Sequence, residues 1–313
     1  MASTTIATVV LLAVIQAAMC DKNCSSICDP SEFFADVKSN LTKIVWAHAV
    51  NSEKELKNAL SSENVMMLEA DVVMGTINRN STPIMAHPPS TKSDLSLEQF
   101  LNITSENGTK GIKLDFKTNE AFKNSIPILE KWRPTLKYPV FLNADILPGP
   151  VNATTTPVDA KEFLTGAIAT LPEAVLSVGW TTRYGMLTNI TEGRYSKEQL
   201  KQMVDTLKEN KVTQPVTYPV RAGLVTKDID AMNELLKNTT FAKATLTIWS
   251  SEGDSVNAQQ LSELIEKVGI DKVYLDVPNN LKKELQKVSS GSTMTSAMSL
   301  GASLVLLALS QML

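Results

Sequence analysis

The stretch from Ile44 to Lys117 decides the fold. It contains Ile-Val-Trp-Ala-His-Ala-Val-Asn (44–51), Val-Met-Met-Leu-Glu-Ala-Asp-Val-Val (65–73), Pro-Ile-Met-Ala-His-Pro (83–88) and Gly-Ile-Lys-Leu-Asp-Phe-Lys (111–117). Each is a short apolar run of the kind that forms a buried strand. Each also carries polar groups that a buried strand would not choose: His48 and Asn51, Glu69 and Asp71, His87, and Asp115 with Lys117. Both histidines of the chain lie here. The pattern implies several strand ends converging on one site.

Outward from this stretch the alternation continues. Strands are expected at 43–50, 65–74, 111–117, 139–147, 174–181, 215–221, 243–250 and 272–277, with an extra extended piece at 83–87. Helical spacing occupies 52–60, 96–102, 119–132, 159–170, 196–209, 227–237, 257–267 and 279–287. Helix starts are signalled by Ser52 before Glu55, Asp159 before Glu162 and Ser196 before Gln199. Strand and helix alternating about eight times predicts an α/β chain closed as a single (β/α)8 TIM-type barrel. An open doubly wound sheet would carry a glycine-rich phosphate turn, and none is present. Nor is there a Walker loop, a nucleophile elbow or a zinc helix.

In such a barrel the chemistry sits at the C-terminal ends of the strands. Those ends supply His48, Glu69, Asp71, Asp115, Lys117, Asn143, Asp145, Trp180, Arg221, Trp249 and Asp276. Glu69 and Asp71 lie two apart and share a strand face. With Asp115 they form a crowd of hard oxygen ligands suited to Mg2+ or Ca2+. A structural ion network with Lys113, Lys117 or Arg221 is the other reading of the same charges. Two histidines beside a cation site suit acid–base transfer at a phosphodiester, one taking a proton and the other giving one.

The two ends read as processing signals. Residues 6–15 form an apolar run of signal-peptide length, too short for a membrane span of roughly twenty residues. Small residues at 289–292, a polar spacer and an apolar tail ending at residue 313 match a glycolipid-anchor signal. The expected division is 1–20 signal peptide, 21–41 lead, 42–288 barrel and 289–313 anchor signal, removed on attachment. Eight Asn-X-Ser/Thr sites, at Asn23, Asn40, Asn80, Asn102, Asn107, Asn152, Asn189 and Asn238, fit a secreted glycoprotein at the cell surface. With Cys20 in the signal, Cys24 and Cys28 remain to close one small loop, so the fold relies on its core. A formal charge of −3 on 313 residues gives no electrostatic reason to expect nucleic acid.

His48-Ala-Val-Asn51, Glu69-x-Asp71, His87 and Asp115-x-Lys117 resemble the phosphodiesterase barrels of the glycerophosphodiesterase and sphingomyelinase D type. The glycerophosphodiesterase His-Arg-Gly opening is absent. More specifically, Trp46-Ala-His-Ala-Val-Asn-Ser, Leu68-Glu-Ala-Asp-Val, Leu142-Asn-Ala-Asp-Ile-Leu-x-Gly-Pro150 and Gly179-Trp-Thr-Thr-x-Tyr184 resemble the menorin family over roughly residues 42–285. That resemblance implies an extracellular protein active in developmental cell-surface signalling, neuronal patterning included. It implies Glu69, Asp71 and Asp115 as ligands of a divalent cation, His48 and His87 as the acid–base pair, and Lys117 at phosphate. Asn143, Trp180 and Trp249 would line the pocket, and Asn51 and Arg221 are further expected substrate contacts. Two readings stay open: a metal-dependent phosphodiesterase acting on a phospholipid or related diester, and a non-catalytic module that binds cell-surface receptors or adhesion proteins.

Overall fold

The computed structural model describes residues 25–288. The expected signal peptide, the anchor signal, Cys24 and Asn23 lie outside the described residues. Cys28 is disulfide-bonded.

Eight parallel strands run in sequence order around one sheet: β1 (Trp46–Ala47), β2 (Met67–Ile77), β4 (Gly111–Phe116), β5 (Val140–Leu147), β6 (Val175–Trp180), β7 (Val216–Arg221), β8 (Ala244–Trp249) and β9 (Val273–Asp276). A ninth strand, β3 (Asn80–Met85), pairs antiparallel with the outer half of β2. Helices α1 (Glu53–Ser61), α2 (Leu97–Asn107), α3 (Asn119–Trp132), α4 (Ala160–Thr170), α5 (Lys197–Glu209), α6 (Ile229–Asn238) and α7 (Ala258–Val268) follow the strands, with a last helical segment at 279–288. Side-chain caps start these helices. Ser96 with Gln99 and Ser196 with Gln199 form reciprocal capping boxes, and Ser52 and Asp159 accept from the amides of Glu55 and Glu162.

Strand parity divides the core in two. Leu68, Ala70 and Val72 on β2, Ile112 and Leu114 on β4, and Leu246 and Ile248 on β8 face outward and belong to the main apolar cluster. The inward face is most apolar at the bottom, where Trp46, Met67, Phe141, Val175 and Tyr274 pack with Val37 and Leu41 from the lead segment. Trp46, Phe141 and Tyr274 meet edge-on with ring centroids 5.6 to 6.1 Å apart. Above that floor most inward residues are polar, Gly179, Pro219 and Trp249 excepted, which puts a wet cavity at the C-terminal ends of the strands.

The barrel is nearly closed. Strand pairing runs from β1 round to β9, and side chains finish the ring. The Trp46–Tyr274 ring contact spans the gap at the floor, and the Leu41 amide donates to the Ile270 carbonyl at 2.8 Å. His48 and Asp276 bridge it higher up.

Candidate functional site

One cavity of about 460 Å3 opens at this mouth, and residues from β1, β2, β4, β5, β6, β7 and β8 or the loops that follow them line it, joined by His87 and Pro88 after β3. On its first side, Glu69, Asp71 and Asp115 each present an oxygen within 4.8 Å of the others. The register explains this: Glu69 pairs with Lys113 and Asp71 with Asp115 across β2 and β4, so like parity puts all four on the inner face.

Each of the three carboxylates is braced. The Ala49 amide donates to Glu69 Oε2 at 2.8 Å, a reach made with Ala49 at φ 56° in the left-handed region. Asn51 Nδ2 donates to Asp71 Oδ2 at 2.8 Å, and the Asp71 amide donates back to Asn51 Oδ1 at 2.9 Å. Asn143 Nδ2 donates to Asp115 Oδ1 at 2.6 Å, and Ser177 Oγ donates to Asn143 Oδ1 at 2.5 Å. Lys117 Nζ sits between Asp71 Oδ1 at 2.7 Å and Asp115 Oδ2 at 2.5 Å. Lys117 therefore meets two of the three carboxylates expected to hold a cation.

The histidines stand at the rim. His48 Nδ1 lies 2.8 Å from Asp276 Oδ2 and 3.6 Å from Glu69 Oε2, which leaves Nε2 without a partner among the described residues. His87 reaches the same cavity by another route. β2 runs past the barrel and turns at Asn78 and Arg79, both at positive φ as a tight two-residue hairpin requires. β3 then returns, and the Ala86 amide donates to the Asp71 carbonyl at 3.0 Å, so His87 emerges exposed beside the carboxylates. Its Nδ1 lies 2.7 Å from the Pro88 carbonyl.

The electrostatics follow from this crowding. Burial pushes the Glu69 carboxyl up, Asp71 and Asp115 push the same way, and His48 opposes. Burial also works against the charge of Asp115, yet Lys117 and then Lys113 hold its carboxyl below the ordinary range. Lys117 is itself held well above the usual lysine value, because Asp115, Asp71 and Glu69 outweigh its desolvation. For His48, desolvation is outweighed by Glu69 and the Asp276 hydrogen bond, which raise it to about 9. That side chain is 56% exposed, so solvent weakens its pairing with the two buried carboxylates.

Across the cavity Arg221 is fixed rather than free. Its Nε and Nη2 donate to the two Asp254 oxygens at 2.8 Å each, and its guanidinium lies 4.8 Å from the Trp249 ring centroid and 5.4 Å from that of Tyr184. Trp249 lines the cavity, as strand parity requires of the residue two after Thr247.

Two expected pocket residues are placed elsewhere. Trp180 shares the outward parity of Leu176 and Val178, and packs between barrel and helices at 1% exposure, its ring 5.2 Å from Tyr195. Asn51 spends its amide on Asp71 instead of facing the cavity. Conversely, Lys113, Asp145 and Asp276 belong to the site. Strand-end position marks the last two, and Lys113 could have been found from sharing inward parity with Asp115.

The expected glycosylation asparagines Asn80, Asn107, Asn152, Asn189 and Asn238 are exposed, and Asn40 and Asn102 are half-buried. Among the described residues no helix is long and apolar enough to cross a membrane.

Comparison with known proteins agrees with the motifs. Residues 40–282 match the Menorin N-terminal domain. The chain belongs to the menorin family. Among its menorin-family relatives, human Protein FAM151B is 38% identical over 236 residues, covering 75% of this chain and 82% of that protein. Solved structures give fainter likenesses. A probable tagatose 6 phosphate kinase from Sinorhizobium meliloti is 12% identical with a TM-score of 0.43, covering 75% of this chain and 64% of that one, less than two thirds. KGPDC from Streptococcus mutans is 13% identical with a TM-score of 0.39, covering 78% of this chain and 98% of that one. Rubisco from Pyrococcus horikoshii is 10% identical with a TM-score of 0.42, covering 91% and 68%. The barrel rests on its own strand order, and these likenesses add nothing to it.

Proposed function

We propose that this menorin-family barrel is a secreted, glycosylated protein, held at the cell surface by a C-terminal glycolipid, whose cavity cleaves a phosphodiester. The convergence of Glu69, Asp71 and Asp115 within 4.8 Å, beside two histidines at one mouth, carries this reading. Glu69, Asp71 and Asp115 would hold Mg2+ or Ca2+, and the oxygen-only donor set fits such hard ions. Glu69 Oε1 makes no hydrogen bond among the described residues, which leaves it for a ligand. A bound cation would supply neutralisation of the phosphate oxygens as charge builds.

The chain's own groups do the rest. Asp276 accepts from His48 Nδ1 and so aims Nε2 away from the ring of carboxylates, where it can exchange a proton with a substrate oxygen. His87 stands on the β3 side as the second proton carrier. Lys117, shared between Asp71 and Asp115, is placed to turn its ammonium towards phosphate.

One observation favours the other reading, a binding module for receptors or adhesion proteins: the Lys117 ammonium pairs with both Asp71 and Asp115, two of the three carboxylates expected to hold a metal ion. A screen of phospholipids and soluble phosphodiesters against the full-length protein, with His48→Ala as control, separates the two. Turnover lost in His48→Ala supports the enzyme. Equal background in both proteins, with cell-surface binding kept by His48→Ala, would refute it.

A further inference from the structure

Asp145 is the one cavity carboxylate that the site does not explain. It lies on β5 two residues after Asn143 and so shares the inward face. Asn143 donates to Asp115 and accepts from Ser177, and makes no hydrogen bond to Asp145. The Asp145 carboxylate makes no hydrogen bond or ion pair with any described residue, while its backbone pairs in the β5–β6 ladder and accepts from the Val158 amide at 2.9 Å.

Its neighbours at the same level cannot satisfy it. The register sets Asp145 beside Gly179 on β6, and Pro219 of β7 lies next to that glycine. A Cβ at Gly179 would fall 2.7 Å from Asp145 Oδ1 and 2.8 Å from Pro219 Cγ. Glycine therefore makes room for the carboxyl, and neither residue offers it a side-chain donor. Burial, then the charge of Asp115, push this acid up to about 7. Asp145 is half-buried and its carboxylate faces the cavity, so the group is open to water and to a donor carried by whatever enters.

Distance says which part of a substrate arrives there. Asp145 is one strand across and two residues up from Asp115, about 8 Å from strand spacing and rise. That spans a phosphate at the Asp115 side and a donor two or three carbons along its ester arm. Resting on the phosphodiester reading above, we propose that Asp145 recognises an N–H or O–H donor, an amine or a hydroxyl, on the short group esterified to the substrate's phosphate. A quaternary ammonium has no such donor. The aromatic face that would otherwise suit it, Trp249, already carries the Arg221 guanidinium at 4.8 Å.

The test uses the full-length protein and four 4-nitrophenyl phosphodiesters whose second arm is 2-aminoethyl, 2-hydroxyethyl, n-propyl or choline, read as nitrophenolate release. Expected is a kcat/KM about 10- to 100-fold higher for a donor arm than for n-propyl or choline. The preference should collapse in Asp145→Ala, with the thermal midpoint unchanged or raised because no internal bond is lost. An amine preference that Asp145→Asn removes identifies an ammonium; a hydroxyl preference that Asp145→Asn keeps identifies a neutral donor. Equal cleavage of all four arms, unaffected by Asp145→Ala, overturns the inference and leaves the phosphodiesterase standing. Cleavage of none, together with no competition in calorimetry, overturns both.

Discussion

At the scale of single residues, the site is a set of charges that each need a named neighbour. His48 is the clearest case. Its folded value of about 9 lies above the ordinary 6.5, so its charge contributes stability in full below 6.5 and loses that contribution as pH rises through 9. Asp276 works in the opposite sense: its carboxyl is held below 3.8, and its contribution is lost as pH falls through that lowered value. With only two histidines in the chain, proton NMR of chelator-treated protein resolves them. Asp276→Asn should bring the His48 titration down towards 6.5; an unmoved titration would mean that Asp276 does not hold it. On the far wall, Arg221 and Asp254 are 10% and 2% exposed. Asp254→Ala strands a buried guanidinium and should cost about 3 kcal/mol in chemical denaturation. A loss below about 0.5 kcal/mol would place that pair among ordinary surface contacts.

At the scale of elements, parity decides what faces the cavity. In Ala-Thr-Leu-Thr-Ile-Trp of β8 the alternation is written plainly, with Leu246 and Ile248 outward and Trp249 inward. The same count on β6 sets Trp180 with Leu176 and Val178, outside the barrel. A tryptophan at a strand end thus says little until its parity is read against its neighbours. The β2–β3 hairpin shows another limit. An extended piece at 83–87 is legible, but the tight turn is not, because Arg79 takes a left-handed position where glycine is the usual choice. Arg79→Gly should relieve that strain and raise stability by up to about 1 kcal/mol, read as a later denaturation midpoint. An earlier midpoint would show that the arginine side chain contributes more than its backbone costs.

At the scale of the whole molecule, the eight-strand count and the site's location are legible because apolar runs ending in polar residues recur along the chain. Barrel closure is not, since His48 and Asp276 are 228 positions apart and neither sequence neighbourhood mentions the other. Nor can sequence say which cation balances the carboxylates, because Lys117 and a metal ion answer the same charge requirement. That competition is the central question. The direct measurement is calorimetric titration of Mg2+ and of Ca2+ into the full-length protein beside Asp71→Asn. Expected is saturable binding by the wild type that the substitution abolishes, with Lys117 displaced from Asp71 and Asp115. Heats of dilution alone in both proteins would contradict the metal site and leave Lys117 as the permanent counter-ion of a binding protein.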